Sequence, residues 1–308
     1  MTDRIQTGAR VGVLMGGLSS ERAVSLTSGA AVAGALRRRG WDVVEIDVGR
    51  DLPKKLQDAG VEACWIALHG NYGEDGCVQG LLEVMGIPYT GSGPRPSAAA
   101  MDKAVAKRLL SDTDVPLPRD FSLWPGDTLP EDLSFPVVAK TPCGGSTIGT
   151  YVCNDWDELH AAIEGCRAFD SEVLIEQFIA GVEITVALLE GRALPVVAIR
   201  PDSGFFDFEA KYTKGKTRYI VPADIPDEAA VAAQRYAETC AHRLALSGLC
   251  RADFIVDDHG VPWFLEVNTI PGMTATSLSP MAAGAEGIGF DELVERLLLS
   301  ARLHLAEG

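Results

Sequence analysis

At 308 residues, 47% hydrophobic and 23% charged, the chain is neither disordered nor fibrous, and it has apolar material for two domains or three small ones. Its 27 Lys and Arg against 43 Asp and Glu leave a net charge of −16. That charge excludes a protein that coats nucleic acid or an anionic membrane, and any bound phosphate must be met by a few local cations. No run approaches the roughly 18 consecutive apolar residues of a membrane helix.

Val11–Met15 is too short for a secretory h-region and ends in Gly16-Gly17, which points to a cytoplasmic protein. The segment reads as a buried strand. The turn Gly16-Gly17-Leu18-Ser19-Ser20-Glu21 then feeds a helix capped by a serine and stopped after Arg39 by Gly40. Strands at Asp42–Val48 and Cys64–His69, with helices around Pro53–Asp58 and Gln79–Met85, continue an alternation that predicts a parallel sheet under helical cover.

A second unit begins near Gly93-Pro94 with a helix over Met101–Leu110 and a loop rich in Pro and Asp over Asp112–Asp132. Strands Pro136–Lys140 and Thr150–Cys153 flank Gly144-Gly145-Ser146-Thr147-Ile148-Gly149, and helix Trp156–Cys166 and strand Glu172–Gln177 complete the unit. From Val182 the strands lengthen: Glu183–Leu189, Ala193–Arg200, Arg251–Val256 and Trp263–Val267, with helices over Glu228–Leu246 and Asp291–Leu305. Asp202–Val221 lacks periodicity, and a loop of that length in a compact domain is usually functional. The expected division is 1–93, an α/β domain; 94–181; and 182–308, carrying the metal site.

Seven cysteines, none at C-x-x-C spacing, read as reduced thiols rather than a zinc site or a disulfide framework. The stretch Ala210–Thr217 matches a relaxed phosphate-loop pattern, but Pro222 and Pro226 oppose the helix such a loop requires, so it is set aside. Gly16-Gly17 lacks the spacing of a dinucleotide fingerprint and leaves only backbone amides at a helix start, able to hold a carboxylate. Arg251 and Asp253 share one strand face, as do Glu266 and Asn268 on the next. A hairpin at Asp258-His259-Gly260 brings Asp253 next to Glu266, a hard-oxygen set suited to Mg²⁺.

Lys140 ends a buried strand before the glycine-rich turn, where amides and an ammonium can surround phosphate oxygens. Lys103 and Lys211 read as surface lysines until a partner is found. His69 lies just past a strand end, where ligands collect in open α/β sheets. His160, His242, His259 and His304 read as surface residues of helices or turns.

These residues together resemble the ATP-grasp enzymes, and within them closely the D-alanine–D-alanine ligases, over nearly the whole chain. The likeness rests on Gly16-Gly17 with Glu21-Arg22 and Ser25; on His69-Gly70 through Gly80 with Ile87–Gly91; on Met101-Asp102-Lys103; on Glu209–Tyr212; and on Arg251-x-Asp253 with Glu266 through Ser277. It implies an N-terminal parallel-sheet α/β domain followed by two α+β ATP-grasp subdomains that sandwich ATP. It also implies ligation of two D-alanines through a D-alanyl phosphate, releasing ADP and phosphate, for peptidoglycan precursor synthesis.

By the same resemblance Asp253, Glu266 and Asn268 hold two Mg²⁺ or Mn²⁺ ions, and Lys103, Lys140 and Lys211 offset phosphate charge. Glu176, Phe178, Ile179 and Glu183 line the adenine and ribose pocket. Arg251 and the Gly272 amide stabilise the oxyanion. Glu21, in a network with Ser146 and Tyr212, binds the first ammonium; His69 lies near the first carboxylate; and Ser277 and Leu278 hold the second substrate. The Asp202–Val221 segment closes as a lid, Tyr212 matches the dipeptide-forming type, and a homodimer is the family's expectation.

Thr141-Pro142-Cys143-Gly144, Phe206 and Phe208 depart from the family's usual residues. The rival readings are another ATP-grasp carboxylate–amine ligase, such as a D-alanine–D-lactate ligase, and a non-catalytic nucleotide-binding module.

Overall fold

The computed structural model describes residues 5, 8–144, 149–201 and 217–305. Its first layer contains β1 (Arg10–Gly16), α1 (Arg22–Arg38), β2 (Asp42–Val48), α2 (Leu52–Ala59), β3 (Ala63–Ile66) and α3 (Cys77–Met85). The strands are parallel in the order β2-β1-β3, because each parallel neighbour has to be reached through a helical crossover. β1 is buried on both faces. Val11, Val13 and Met15 pack with Val32 and Leu36 of α1, while Leu14 packs with Leu52, Leu56, Val78 and Leu82 of α2 and α3.

Two local expectations fail here. The N-cap of α1 is Glu21, without a side-chain capping bond. Ser19 instead accepts from the Glu21 amide at 3.2 Å and donates to the His69 carbonyl at 2.7 Å, tying the turn to the loop beyond β3. β3 stops at Ile66 rather than His69, since its ladder partner in β1 ends at Leu14, and Leu68 and His69 leave the sheet at its C-terminal end.

The second unit contains α4 (Pro94–Met101), α5 (Lys103–Leu110), β4 (Asp120–Leu123), β5 (Val137–Lys140), β6 (Thr150–Cys153), α6 (Trp156–Arg167) and β7 (Val173–Gln177). Its antiparallel sheet runs β4-β7-β5-β6. The expected helix Met101–Leu110 is α5, which starts at Lys103 after Asp102, whose carboxylate caps it by accepting from the Val105 amide at 2.9 Å; α4 before it was unforeseen. α4 opens on proline, which a first helical turn tolerates because its N–H would be unpaired there anyway. β4 lies hidden in the Pro- and Asp-rich segment; it is a short edge strand.

The third unit contains β8 (Val182–Leu189), β9 (Arg192–Ala193), β10 (Val197–Pro201), β11 (Thr217–Ile220), α7 (Asp227–Arg243), β12 (Leu249–Val256), β13 (Pro262–Asn268), α8 (Leu278–Ala285) and α9 (Phe290–Leu299). The sheet order is β11-β10-β8-β12-β13, with β9 beside β8. The expected strand Ala193–Arg200 is split around Pro195, which has no N–H for a ladder. β11 at Thr217 is a strand, consistent with setting aside the phosphate-loop match.

The closing helix ends at Leu299, not Leu305, and α8 was unforeseen because Ser279-Pro280 reads as a break. Both helices return to the first layer: Ala282, Ala283, Leu293, Val294 and Leu297 share a core with α1 and Trp41. His304 is half-buried with its ring 5.3 Å from that of Tyr89, not a surface residue of a helix or turn. The seven cysteines are free thiols, and five of them are buried.

Candidate active site

The C-terminal end of the first sheet, one face of the third sheet and the start of α5 enclose a cleft of about 300 Å³. The sheet face is built by register. Ile199 pairs Glu183, Thr185 pairs Asp253, Asp253 pairs Glu266, and Arg251 pairs Asn268. Alternation, with a bulge between the Phe254–Phe264 and Asp253–Glu266 pairs that turns Glu266 and Asn268 outward, gathers these side chains on one face, while Ile184, Val186, Ala252, Phe254 and Phe264 turn into the core beneath α7. The expected hairpin forms: Asp257 accepts from the amides of His259 and Val261 at 3.0 and 2.8 Å, and Gly260 takes the turn's positive φ of 79°.

Asp253 accepts from Arg251 Nε and Nη2 at 2.9 and 2.8 Å and from Thr185 Oγ1 at 2.5 Å. Burial opposes the Arg251 charge, but the adjacent Asp253 carboxylate outweighs it, so the guanidinium pKa is raised. Glu266 lies 2.9 Å from Lys103 Nζ, which also donates to the Gly144 carbonyl at 2.7 Å. Lys103 is thus a buried, paired lysine and not the surface residue its local sequence suggests, because the α5 N-terminus packs under the loop after β5. Its backbone N–H donates to the Pro142 carbonyl at 3.1 Å. Burial again opposes the ammonium, and Glu266 overcompensates.

His69 Nδ1 is 3.0 Å from the Ile270 carbonyl, an acceptor, so Nδ1 carries the proton. Nε2 then accepts from Ser28 Oγ at 3.2 Å, and that oxygen in turn accepts from the Met273 amide at 3.2 Å. Burial lowers the His69 pKa, and the neutral ring pins the 270–273 segment that carries Gly272. The Glu21 carboxylate lies over Gly70: a Cβ built there would meet Glu21 Oε2 at 2.9 Å. Ser277 Oγ accepts from the Thr274 amide at 3.1 Å, and Leu278 lines the cleft.

Lys140, Glu176, Phe178 and Ile179 belong to the second sheet and the segment leaving it. Lys140 Nζ is 2.6 Å from Glu176 Oε2, both buried. Burial lowers the Lys140 pKa, with Glu176 as partial compensation. Phe178 is half-buried and Ile179 buried. Ser146, Thr147, Phe206, Phe208, Lys211 and Tyr212 lie outside the described residues.

Three participants were missed. Glu74 lines the cleft, and Lys107 is the second partner of Glu176. Thr185 holds Asp253. Only Glu74 carried a signal, its place in the glycine-rich segment after His69.

Among the described residues no three His, Cys, Asp or Glu side chains converge as a metal cluster. The adjoining oxygens on β12 and β13 are the Asp253 and Glu266 carboxylates and Asn268, whose Oδ1 accepts from the Ile270 amide at 2.9 Å. Hard oxygen donors on adjoining strands fit a hard divalent ion by chemistry.

A parallel α/β layer followed by two antiparallel units that share a charged cleft is the ATP-grasp architecture. Family models for the C-terminal and N-terminal regions of D-alanine–D-alanine ligases match residues 125–299 and 49–92. The D-alanine–D-alanine ligase of Syntrophotalea carbinolica is 48% identical over 298 residues, covering 96% of each chain. The crystal structure of the Bacillus anthracis ligase complexed with ATP superposes with a TM-score of 0.84 at 36% identity, over 94% of this chain and 96% of that one. The VanG D-Ala:D-Ser ligase of Enterococcus faecalis has a TM-score of 0.80 at 28% identity, over 95% and 99%. The chain belongs to the D-alanine–D-alanine ligase family.

Proposed function

We propose that this chain joins two D-alanines into D-alanyl-D-alanine with cleavage of ATP to ADP and phosphate. The carboxylate of the first D-alanine attacks the γ-phosphorus, and ADP leaves. The amine of the second attacks the acyl phosphate carbonyl, loses a proton and expels phosphate. The observation that carries this reading is the register of the third sheet, which places Arg251, Asp253, Glu266 and Asn268 on one face opposite Lys103.

In this reading Arg251 and the Gly272 amide meet the oxyanion, while Lys103, Lys140 and Lys211 meet the phosphates. Glu21 takes the first ammonium with Ser146 and Tyr212, and His69 holds the Gly272 segment beside the first carboxylate. Ser277 and Leu278 seat the second substrate. Phe178, Ile179, Glu176 and Glu183 surround the adenosine. Asp253, Glu266 and Asn268 would hold Mg²⁺ or Mn²⁺, which when bound offsets charge on the phosphate oxygens. For that, Arg251 and Lys103 must loosen their hold on the two carboxylates, a rearrangement that also frees both cations for the substrate.

The units 1–93, 94–181 and 182–308 would act as substrate domain and two nucleotide-binding halves of a homodimer in the cytoplasm, supplying peptidoglycan precursor synthesis. No described helix is long and apolar enough to cross a membrane.

The test is ADP release with ATP and Mg²⁺, without and with D-alanine, and product identification by mass with D-lactate and D-serine as competing acceptors. D-alanine-dependent dipeptide formation is expected. Preferred turnover of D-lactate or D-serine overturns the acceptor assignment, and nucleotide binding without turnover of any acceptor overturns the ligase reading.

A further inference from the structure

Lys107 takes no part in the steps above, yet it is among the most buried charges in the molecule, its side chain 2% exposed. It lies one helical turn beyond Lys103 on α5, so the two ammonium groups leave the same side of the helix. Its Nζ is 2.7 Å from Glu176 Oε1, 3.1 Å from the Pro118 carbonyl and 3.3 Å from Asp120 Oδ2. The other oxygen of Glu176 is 2.6 Å from Lys140 Nζ. One buried carboxylate therefore holds two ammonium groups, one from a helix and one from a strand.

The two lysines differ in what else they hold. Lys107 has three acceptors in the interior, whereas Lys140 ends β5 at the glycine-rich turn. If Lys140 moves from Glu176 to a phosphate, the carboxylate it leaves is still paired with Lys107. Without Lys107 the same movement would strand an unpaired charge in the interior, which is strongly unfavourable. We propose that Lys107 is a positioning residue for nucleotide use: it is the standing counter-charge of Glu176 and sets how readily Lys140 is released to the phosphates. This rests on the reading that Lys140 meets the phosphates.

The proposal makes the effect of Lys107 conditional on the charge of Glu176, which anchoring of Pro118 and Asp120 alone would not. Steady-state kinetics are to be compared for Lys107→Met, Lys107→Arg, Glu176→Gln and the double variant Lys107→Met/Glu176→Gln. Lys107→Met is expected to raise KM for ATP roughly tenfold, with kcat changed much less. Lys107→Arg should stay near the parent.

In the Glu176→Gln background Lys107→Met should leave KM for ATP unchanged, because no charge remains to hold Lys140. That comparison uses two variants with no unpaired carboxylate at this position, so it stands even if Lys107→Met alone does not fold. An equal rise in KM in both backgrounds, or none in either, overturns the proposal. Lys140→Met serves as the separate control: unchanged KM for ATP would overturn the phosphate role of Lys140 itself.

Discussion

Glu74 and Glu176 are both nearly fully buried carboxylates, and burial has opposite outcomes for them. Two ammonium groups outweigh burial at Glu176, and its pKa is lowered. Glu74 receives one backbone N–H, from Gly70 at 2.6 Å, and faces the like charge of Glu21, with Arg251 a lesser opposing influence and Glu266 a weaker like charge. Burial pushes it up to about 8, so it is largely protonated at neutral pH. A carboxyl whose folded-state pKa lies above its unfolded value, about 4.3, binds more protons when folded. Stability is therefore lost as pH rises from the unfolded value toward 8, and no more is lost above that. Relative to Glu74→Gln, the parent protein should lose about 1 kcal/mol of stability per pH unit between roughly pH 5 and 8. Urea denaturation of both proteins at several pH values measures this, and a difference independent of pH would refute it.

At the scale of elements, the cleft depends on β8 and β12 staying in register from Leu249↔Leu189 to Val256↔Val182. The chain enters β8 through Gly181, where a Cβ would meet the Val256 carbonyl oxygen at 2.1 Å and its carbon at 2.7 Å. Both are backbone atoms of the neighbouring strand and cannot swing aside. Gly181→Ala should therefore cost about 2 kcal/mol or more. Gly80, inside α3 with open space at its Cβ, gives the contrast: Gly80→Ala should be neutral or stabilising by up to about 1 kcal/mol. Thermal melts of the two variants test the pair, and equal melting temperatures would show that the close approach at Gly181 carries no strain. The same hairpin geometry explains why the third sheet's polar face was readable in part. Period-two alternation and the turn at Asp258-His259-Gly260 put Arg251 with Asp253 and Glu266 with Asn268, but pairing Asp253 with Glu266 also takes a one-residue bulge at Leu265, because Phe254 pairs Phe264. α8 and the β9–β10 break were not readable, since a proline near a helix start and one inside a strand look alike locally.

Across the whole molecule, the last described residues clasp the first layer. Arg302 and Tyr89 exchange backbone hydrogen bonds at 3.1 and 3.4 Å. Glu83 accepts from the His304 and Leu305 amides at 2.8 and 3.2 Å and from the Tyr89 hydroxyl at 2.6 Å. At roughly 1 kcal/mol for each hydrogen bond, a chain ending after Ser300 should melt roughly 5–10 °C lower. Its KM for ATP should be unchanged, because the lysine cluster lies on α5 and β5, which the clasp does not touch. Calorimetry decides the first point, and an unshifted melting temperature would mean the clasp contributes nothing. The Arg38–Asp291 and Arg39–Glu295 pairs between α1 and α9 are substantially exposed and contribute little beside the apolar contacts beneath them.

The strand and helix alternation of the first layer, the hairpin whose strands carry Arg251, Asp253, Glu266 and Asn268, and the family resemblance are all properties of the linear sequence, whereas the bulge that turns Glu266 onto the face of Asp253 is not. Period and turn chemistry act between near neighbours, and a chain of this hydrophobicity must bury the apolar side of each element. The states of the buried charges are not readable in that way. Lys103 looks like a surface lysine, Lys107 has no local signal, and Glu74 looks like any loop carboxylate. Their pairing and burial depend on residues far away in the chain, 163 positions between Lys103 and Glu266 and 192 between Glu74 and Glu266. Only the packing of the three sheets brings those groups together, and with them the counter-charge that decides whether each one stays ionised.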